Sequence, residues 1–395
     1  MSLNQTKLPF IVIAQFFCTS LWFAGNAVIF EFGAQFQLGQ DALGDLTSII
    51  QIGFIVGTLV FAILSVADRF SPSKVFFYCS LLGALFNLAL IYEGNSYLSI
   101  FLLRFLTGFF LAGIYPVGMK IAADYYKKGL GVSLSYLVGA LVLGTALPHL
   151  FQDIKGDLPW KIVFISTSSL AIIGGLLIRI FVPDGPFRKP SQQFKVDSIK
   201  YIFKNKSFRS AAFGYFGHMW ELYAFWTFVP IILKYINESH EDIYLNTPLL
   251  SFNIIAIGAL GCVIAGYLTK RYKTQSVALS FLMLSLICCL VSPFILQLGS
   301  LYLLIAFLLF WGLSVIADSP LFSTLVANRT EPELKGTALT IVNCIGFSIT
   351  IVSIQLLNWM YIKYNSPMIY MLLGIGPLFG IIALYCYNSS QESKH

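Results

Sequence analysis

Twelve apolar runs, each about 20 residues or longer, follow one another along this chain with only short charged or turn-rich breaks between them. A helix needs about 20 apolar residues to cross the ~30 Å hydrocarbon layer of a bilayer. Backbone at that depth must be helical, because lipid offers no partner for a free N–H or C=O group. The runs lie near residues 9–32, 44–67, 74–93, 97–122, 129–151, 161–182, 207–236, 248–269, 274–297, 300–327, 336–362 and 366–387. The sequence therefore predicts an all-α membrane protein with twelve transmembrane helices.

The low share of charged residues excludes other classes of protein. Charged residues make up 11% of the 395 residues and hydrophobic residues 57%, whereas soluble domains carry about 25% charged residues. This composition excludes a water-soluble globular fold, a disordered chain and a disulfide scaffold. The seven cysteines lie in apolar stretches without the spacing of metal ligands. We interpret them as packing residues and expect no metal site.

The positively charged residues between the runs predict how the chain is threaded through the membrane. If the N-terminus lies inside, twenty of the 25 lysines and arginines fall at inner helix ends or in inner loops. The outer side receives only Lys155, Lys161, Lys234 and Lys363. Because lysine and arginine accumulate in cytoplasmic loops, we expect both termini in the cytoplasm. The short outer loops are typical of a protein of the bacterial cytoplasmic (inner) membrane.

The longest connection, residues 184–206, is basic and divides the twelve runs into two sets of six. We therefore predict a first six-helix bundle over residues 1–183, a cytoplasmic linker over 184–206 and a second six-helix bundle over 207–395. A short amphipathic helix around residues 196–203 is expected to lie at the anionic leaflet. The alternative is a solvated tether whose charge only sets the topology.

The two halves of the sequence resemble each other at a nearly constant offset. The matching pairs, 202 to 207 residues apart, are Trp22 and Trp226, Asp68 and Lys270, Arg69 and Arg271, Lys128 and Lys335, and Gly139 and Gly346. Internal repeats of this kind place a solute site between the halves near the middle of the membrane, and rocking of one half against the other exposes the site alternately. The repeat therefore predicts two pseudo-symmetric six-helix bundles that work by alternating access.

Four segments of the chain resemble motifs of the major facilitator superfamily. The loop Leu64–Lys74 carries Asp-Arg where that superfamily has its Gly-x-Leu-x-Asp-Arg-x-Gly-Arg-Arg/Lys gating motif, and Gly266–Arg271 resembles a second copy. Arg104–Gly108 resembles the Arg-x-x-x-Gly motif of the fourth span, and Val182–Pro186 resembles the end of the sixth. By this resemblance, which covers essentially the whole chain, the protein is a bacterial-type twelve-span transporter whose spans 1, 4, 7 and 10 line a central cavity.

The resemblance also implies which residues gate the conformational change. They are Asp68, Arg69, Lys270 and Arg271. We expect Asp68 with Arg69 to latch helix ends on the cytoplasmic face rather than to contact solute. The first copy departs from the motif at its two glycine positions, and the second copy has lysine in place of the acid.

Four ionisable residues inside the predicted spans are candidates for function, because a charge there costs several kcal/mol and normally faces a partner or a cavity. Glu221, in span 7, is the predicted proton carrier, and His218, one turn away, could share its proton. The alternatives are a helix-bridging hydrogen bond for Glu221 and packing for His218. Asp318, in span 10, either couples protons or has a structural role, in which it supports a kink at Pro320 or pairs with a basic residue at the cytoplasmic end. Arg104 either binds an anionic group of the solute or pairs with a buried carboxylate or with helix-end carbonyls.

Seven aromatic and amide residues occupy positions that would face a central cavity. They are Trp22, Asn26, Tyr115, Trp220, Tyr223, Trp226 and Asn343. Aromatic residues make up 16% of the chain. Packing and lipid contact are therefore the alternative roles for the rings.

These features predict a secondary active transporter that takes up a small polar or anionic solute together with protons. The alternative is a proton-coupled antiporter that exports amphipathic compounds or metabolites. The superfamily's antiporter motif in span 5, built around Gly-Pro and Gly-Gly, is matched here only in part by Gly139, Gly144 and Pro148, which disfavours export. The sequence has no Walker A loop, metal-ligand cluster or nucleophile elbow, so we expect neither an enzyme nor a cofactor. The expected partners are the solute, a coupling proton or other cation and the lipid bilayer, without nucleic acid. We expect the protein to be a monomer.

Overall fold

The computed structural model describes residues 7–126, 130–154, 159–188, 198–239, 245–298 and 300–392, and this part of the chain is almost entirely helical. The first helices are α1 (Leu8–Thr19), α2 (Ala24–Ala27), α3 (Ile29–Gln35), α4 (Ala42–Ile63), α5 (Val66–Arg69), α6 (Pro72–Leu88), α7 (Tyr97–Leu111), α8 (Tyr115–Tyr125), α9 (Leu130–Gln152) and α10 (Pro159–Phe181). They are followed by α11 (Ser198–Lys204), α12 (Lys206–Ser239), α13 (Thr247–Leu268), α14 (Thr274–Leu296), α15 (Leu301–Ala317), α16 (Ser319–Asn328), α17 (Lys335–Tyr364) and α18 (Ile375–Glu392). Short 3₁₀ segments lie at Ala89–Ile91, Pro332–Leu334 and Pro367–Gly374.

Ten helical segments in the described residues are long and apolar enough to cross a membrane. They are Ala42–Ile63, Pro72–Ile91, Tyr97–Tyr125, Val132–Gln152, Trp160–Phe181, Thr247–Leu268, Thr274–Leu296, Leu301–Asn328, Lys335–Tyr364 and Pro367–Tyr385. Two further segments lie where the sequence predicts spans 1 and 7: the interrupted α1–α3 and the 34-residue α12. The predicted fold class, an all-α membrane protein, is confirmed, and the segments are consistent with twelve spans.

Three of the predicted spans are interrupted rather than continuous. In span 1, α1 ends at Thr19, and Ser20–Phe23 separate it from α2. In span 4, Ala112–Ile114 separate α7 from α8, and in span 10, Asp318 separates α15 from α16. The last break immediately precedes Ser319 and Pro320 at the start of α16, where proline lacks the N–H that a continuous helix would use.

The chain divides into two compact units. The first comprises Met1–Ser191 and Asn246–Ala256, and the second comprises Gln192–Leu245 and Ile257–His395. Residues 189–197 of the predicted linker lie outside the described residues. The amphipathic segment predicted at residues 196–203 therefore corresponds, as far as it is described, to α11 in the second unit.

Close packing of α4 against α7 fixes α7 in the first unit. Gly53 lies against the backbone of Phe105, and Gly108 lies against the backbone of Ile50. A Cβ atom at either glycine would overlap a carbonyl oxygen. Small residues allow membrane helices to approach this closely. The interlock positions Arg104, which lies one turn before Gly108.

In the second unit, α12 is buried along most of its length. It packs against α17 and α18, and its Gly217 lies so close to Gly376 of α18 that a Cβ atom on either would overlap the other's carbonyl oxygen. Pro230 lies within α12 without ending it. This packing places two ionisable residues of α12, His218 and Glu221, inside the unit, where each side chain is 1% exposed.

Candidate functional site

Glu221 is the acceptor at the centre of a buried polar cluster. Its Oε1 atom accepts hydrogen bonds from Ser285 Oγ at 2.5 Å and from Trp311 Nε1 at 2.7 Å. Cys289 Sγ donates a weaker bond to the same oxygen at 3.2 Å. The cluster joins α12 to α14 and α15. It has the geometry of the helix-bridging hydrogen bond that the sequence analysis gave as the alternative role of Glu221.

His218 lies against Asp318 rather than against Glu221. The distance from His218 Nδ1 to Asp318 Oδ1 is 2.8 Å, and both side chains are 1% exposed. Phe322 of α16 lies beside the imidazole, with 6.3 Å between the ring centroids. The Nε2 atom of His218 has no hydrogen-bond partner within the described residues. One ring nitrogen therefore faces a carboxylate, and the other is buried without a hydrogen-bond partner among the described residues.

Asp318 occupies the break between α15 and α16. Its backbone carbonyl accepts hydrogen bonds from the N–H groups of Leu321 and Phe322, at 3.0 and 2.9 Å. These bonds start α16, while the side chain turns to α12. Any change in the angle between α15 and α16 would therefore change the distance between the Asp318 carboxyl and the imidazole.

Among the described residues, neither of these buried carboxyl groups has a lysine or arginine partner, and Asp318 instead faces the imidazole of His218. In the described part of the chain, no lysine or arginine forms an ion pair with Glu221 or Asp318. An unpaired charge in hydrocarbon costs several kcal/mol. Adding or removing one proton here would therefore change the local free energy substantially.

Arg104 forms hydrogen bonds with the backbone where the first span is interrupted. Its guanidinium is fully buried and donates from Nη1 to the carbonyl of Leu21 at 3.3 Å and from Nη2 to that of Trp22 at 2.8 Å. Carbonyls at the end of a helix have no partner within the helix, so the arginine satisfies acceptors that the break exposes. Gly25 lies beside the guanidinium, and a Cβ there would be in van der Waals contact with it at 3.4 Å. Of the roles predicted for Arg104, the contact with helix-end carbonyls is the one observed.

The cavity candidates of the first unit are engaged with their own unit. Trp22 is fully buried, and its ring centroid lies 4.8 Å from that of Phe54. Asn26 donates from Nδ2 to Thr47 Oγ1 at 2.5 Å. Tyr115 is half-buried at the start of α8.

The candidates of the second unit fall into two groups. Tyr223 and Trp226 are buried, with 5.3 Å between their ring centroids, and Phe347 of α17 lies 5.2 Å from Tyr223. Trp220 instead donates from Nε1 to the Leu372 carbonyl at 3.0 Å, which ties it to the 3₁₀ segment before α18. Asn343 is half-buried in α17.

The predicted gating residues Asp68 and Arg69 differ in their contacts. Asp68 forms an ion pair with Lys120 of α8 at 2.6 Å, whereas Arg69 is exposed at the end of α5. Arg188 adds hydrogen bonds to the carbonyls of Asp68 and Phe70, both at 2.8 Å. Neither contact is predicted from the sequence, in which Lys120 and Arg188 count only among the twenty positive charges assigned to the inner side.

The corresponding loop of the second unit has no acidic residue. Lys270 and Arg271 are exposed, and Lys270 Nζ lies 4.2 Å from the ring centroid of Tyr267. A nearby cation that the sequence analysis did not single out, Arg329, donates to Ser210 Oγ at 2.7 Å and to Gln275 Oε1 at 2.6 Å. Arg329 thus links the ends of α12, α14 and α16 with neutral acceptors.

Two helical units with ionisable groups buried among apolar helices define a multi-pass membrane transporter. The chain belongs to the Major Facilitator Superfamily, because that family's model matches residues 11–354. The resemblance inferred from the sequence motifs is therefore confirmed.

Solved structures with similar folds include two transporters. A bacterial homolog of the human lysosomal transporter Spinster, in an inward-facing and unoccupied conformation, superposes with a TM-score of 0.72 at 13% identity, covering 98% of this chain and 96% of that chain. The E. coli fucose:proton symporter FucP superposes with a TM-score of 0.65 at 13% identity, covering 95% and 98%. At these identities the likeness establishes the fold alone.

A curated relative is similar in sequence over part of its length. The choline/ethanolamine transporter flvcr2a of Danio rerio is 25% identical over an aligned length of 261 residues, and the match covers 61% of this chain and 54% of the relative. The match thus spans about half of that protein.

Proposed function

We propose that this protein is a proton-coupled secondary transporter that takes up a small polar solute by alternating access. The observation that carries the proposal is the buried pair of His218 and Asp318 beside the Glu221 cluster, without a lysine or arginine partner in the described residues. In a transporter fold, such groups are suited to bind and release a coupling ion. We place the protein in a bacterial cytoplasmic membrane as a monomer, with both termini inside.

Asp318 is the group through which protonation would act on conformation. Its carboxyl lies 2.8 Å from His218 on α12, while its backbone starts α16. Protonation changes the attraction between the carboxyl and the imidazole, and hence favours one arrangement of α15 and α16 over another. A proton shifts a conformational equilibrium only through such differential contacts.

The described contacts favour a neutral or cationic solute over an anionic one. The two terminal nitrogens of Arg104 already donate to the carbonyls of Leu21 and Trp22, so the arginine is a weaker candidate for an anion anchor. Aromatic faces attract organic ammonium groups, and Tyr223 and Trp226, which are buried in this structure, would offer such faces once their unit opens. The partial match to a choline/ethanolamine transporter makes amino alcohols the first solutes to test.

The test is solute-driven proton movement in proteoliposomes that contain the purified full-length protein and an internal pH-sensitive dye. Choline, ethanolamine, fucose and a small carboxylate are supplied outside in turn. We expect one of them to acidify the lumen and to accumulate when a proton gradient is imposed. Glu221→Gln and Asp318→Asn should reduce this accumulation at least tenfold, while exchange of labelled solute at equal concentrations persists.

Glu31→Gln is the matched control. Glu31 is a half-buried carboxylate of the first unit that accepts a hydrogen bond from Gln152 at 3.1 Å, and its substitution should leave accumulation unchanged. Solute exchange without any response to pH in the unaltered protein would contradict proton coupling. The lumen of an inverted vesicle corresponds to the outside of the cell. Accumulation of solute in inverted vesicles would therefore contradict uptake and favour the export alternative.

A further inference from the structure

A groove of about 330 Å³ lies where α13 ends and α14 begins, in the second unit. It is lined by Leu268, Tyr272, Ser276, Val277, Ser280, Phe281 and Leu284. Val277 and Phe281 form its buried wall, whereas Tyr272 is 60% exposed. The groove is therefore an open, mostly apolar surface depression, and Tyr272, Ser276 and Ser280 contribute hydroxyl groups to its lining.

A cluster of cations flanks one end of this groove. Lys270, Arg271 and Lys273 all lie in the connection between α13 and α14 and are exposed. Within the described residues, none of the three takes part in an ion pair. The distribution of positive charge in the sequence predicts that this connection lies on the cytoplasmic side, where the leaflet surface is negatively charged.

The other end of the groove continues as an apolar stripe along α14. Leu284, Ile287, Leu290 and Phe294 are 36%, 55%, 44% and 64% exposed. Their spacing of three or four residues places them on one side of the helix. From Thr274 to Leu284 the helix rises about 15 Å, which is about half of the ~30 Å hydrocarbon layer. Cations, hydroxyls and apolar side chains thus follow one another at the depths of a phospholipid's phosphate, ester groups and acyl chain.

We propose that this groove binds an anionic phospholipid of the cytoplasmic leaflet. Its phosphate lies at Lys270, Arg271 and Lys273, and one acyl chain follows the groove and the stripe beyond it. Charge complementarity determines the occupant, because three exposed cations without an ion-pair partner in the described part of the chain attract a lipid with net negative charge more strongly than a zwitterionic one. Solute transport and proton coupling play no part in this inference.

The test is native mass spectrometry of the full-length protein, released from detergent after incubation with equal amounts of phosphatidylglycerol and phosphatidylcholine. The unaltered protein should retain phosphatidylglycerol in preference. A variant with Lys270→Gln, Arg271→Gln and Lys273→Gln should lose this preference, with affinity falling about fivefold for each charge removed. Ser280→Trp should also abolish retention, because the indole fills the groove while the cations remain.

Two controls distinguish this site from general attraction to a basic surface. Lys200→Gln with Lys204→Gln removes two cations from α11 and should leave retention unchanged. Glycerol phosphate added in tenfold excess should not displace the lipid, because it lacks the acyl chain. Equal retention of both lipids by the unaltered protein, unchanged retention by Ser280→Trp, or displacement by glycerol phosphate would each overturn the proposal.

Discussion

Replacing Glu221 by alanine and by glutamine should have very different effects on stability. The carboxyl oxygen Oε1 accepts from Ser285, Trp311 and Cys289. Glutamine can present a carbonyl oxygen to the same three donors, so its cost should stay below about 1 kcal/mol. Alanine has no side-chain oxygen, so Ser285, Trp311 and Cys289 would all lose the acceptor that Glu221 provides.

The cost of the alanine variant can be worked out donor by donor. The Trp311 indole N–H is fixed by its buried ring and would lose its partner, at about 1–3 kcal/mol. The Ser285 hydroxyl can rotate towards a backbone carbonyl of the preceding helical turn and should lose about 1 kcal/mol or less. The thiol of Cys289 is a weak donor and adds little. The sum is about 3 kcal/mol, or more than a hundredfold in the unfolding equilibrium.

The measurement is unfolding in mixed micelles of increasing SDS fraction, followed by circular dichroism. Glu238→Ala is the control, because Glu238 is exposed and its ion pair with Lys234 is long, at 3.7 Å, so the change should stay within about 0.5 kcal/mol. In a Trp311→Phe background, the cost of Glu221→Ala should fall by about 1–2 kcal/mol, because the most rigid donor is already absent. Equal costs for Glu221→Ala and Glu221→Gln would refute the hydrogen-bonding scheme.

Three further predictions concern other contacts. Gly108→Ala should destabilise the protein by about 1–3 kcal/mol, because its methyl group meets the opposing backbone. Gly33→Ala in α3, with no atom within 4 Å of its Cβ, should not destabilise the protein in the same SDS titration, because alanine favours a helix more than glycine does. Arg104→Lys offers one nitrogen to the two carbonyls of Leu21 and Trp22 and should lower the free energy of unfolding by about 1–2 kcal/mol. Unchanged stability would contradict the two hydrogen bonds that Arg104 donates. The hydrogen bond that Tyr201 donates to Glu331 raises the pKa of the Tyr201 phenol above its usual 10.0, so its stabilising effect is present below pH 10 and is lost as the pH rises through the raised pKa. Glu331→Gln should lower this pKa in an ultraviolet titration corrected with Tyr201→Phe, and an unchanged titration would contradict the contact.

Apolar runs predict the helices of this protein well, because a bilayer imposes length and composition on every span. The interruption at Ser20–Phe23 is different, since this segment contains neither proline nor glycine. Its carbonyls are satisfied by Arg104, more than 80 residues later in the chain. A break that depends on a distant side chain leaves no local signal in the sequence.

The contacts of the buried ionisable groups could be predicted only in part. Spacing along α12 suggested that His218 and Glu221 share a proton, but residues three apart on a helix point about 60° apart. His218 therefore reaches Asp318, while Glu221 reaches α14 and α15. A usable signal was present in Ser285 and Cys289, which are four residues apart and therefore on one face of α14, both at buried positions.

The order in which the helices are synthesised has a consequence for Glu221. Its three hydrogen-bond donors, in α14 and α15, are translated after α12. A charged group costs about 2.5–3.5 kcal/mol at the centre of a helix that inserts alone. Nascent α12 should therefore wait beside the translocon until α14 and α15 leave the ribosome. Chains truncated before residue 274 should insert α12 incompletely.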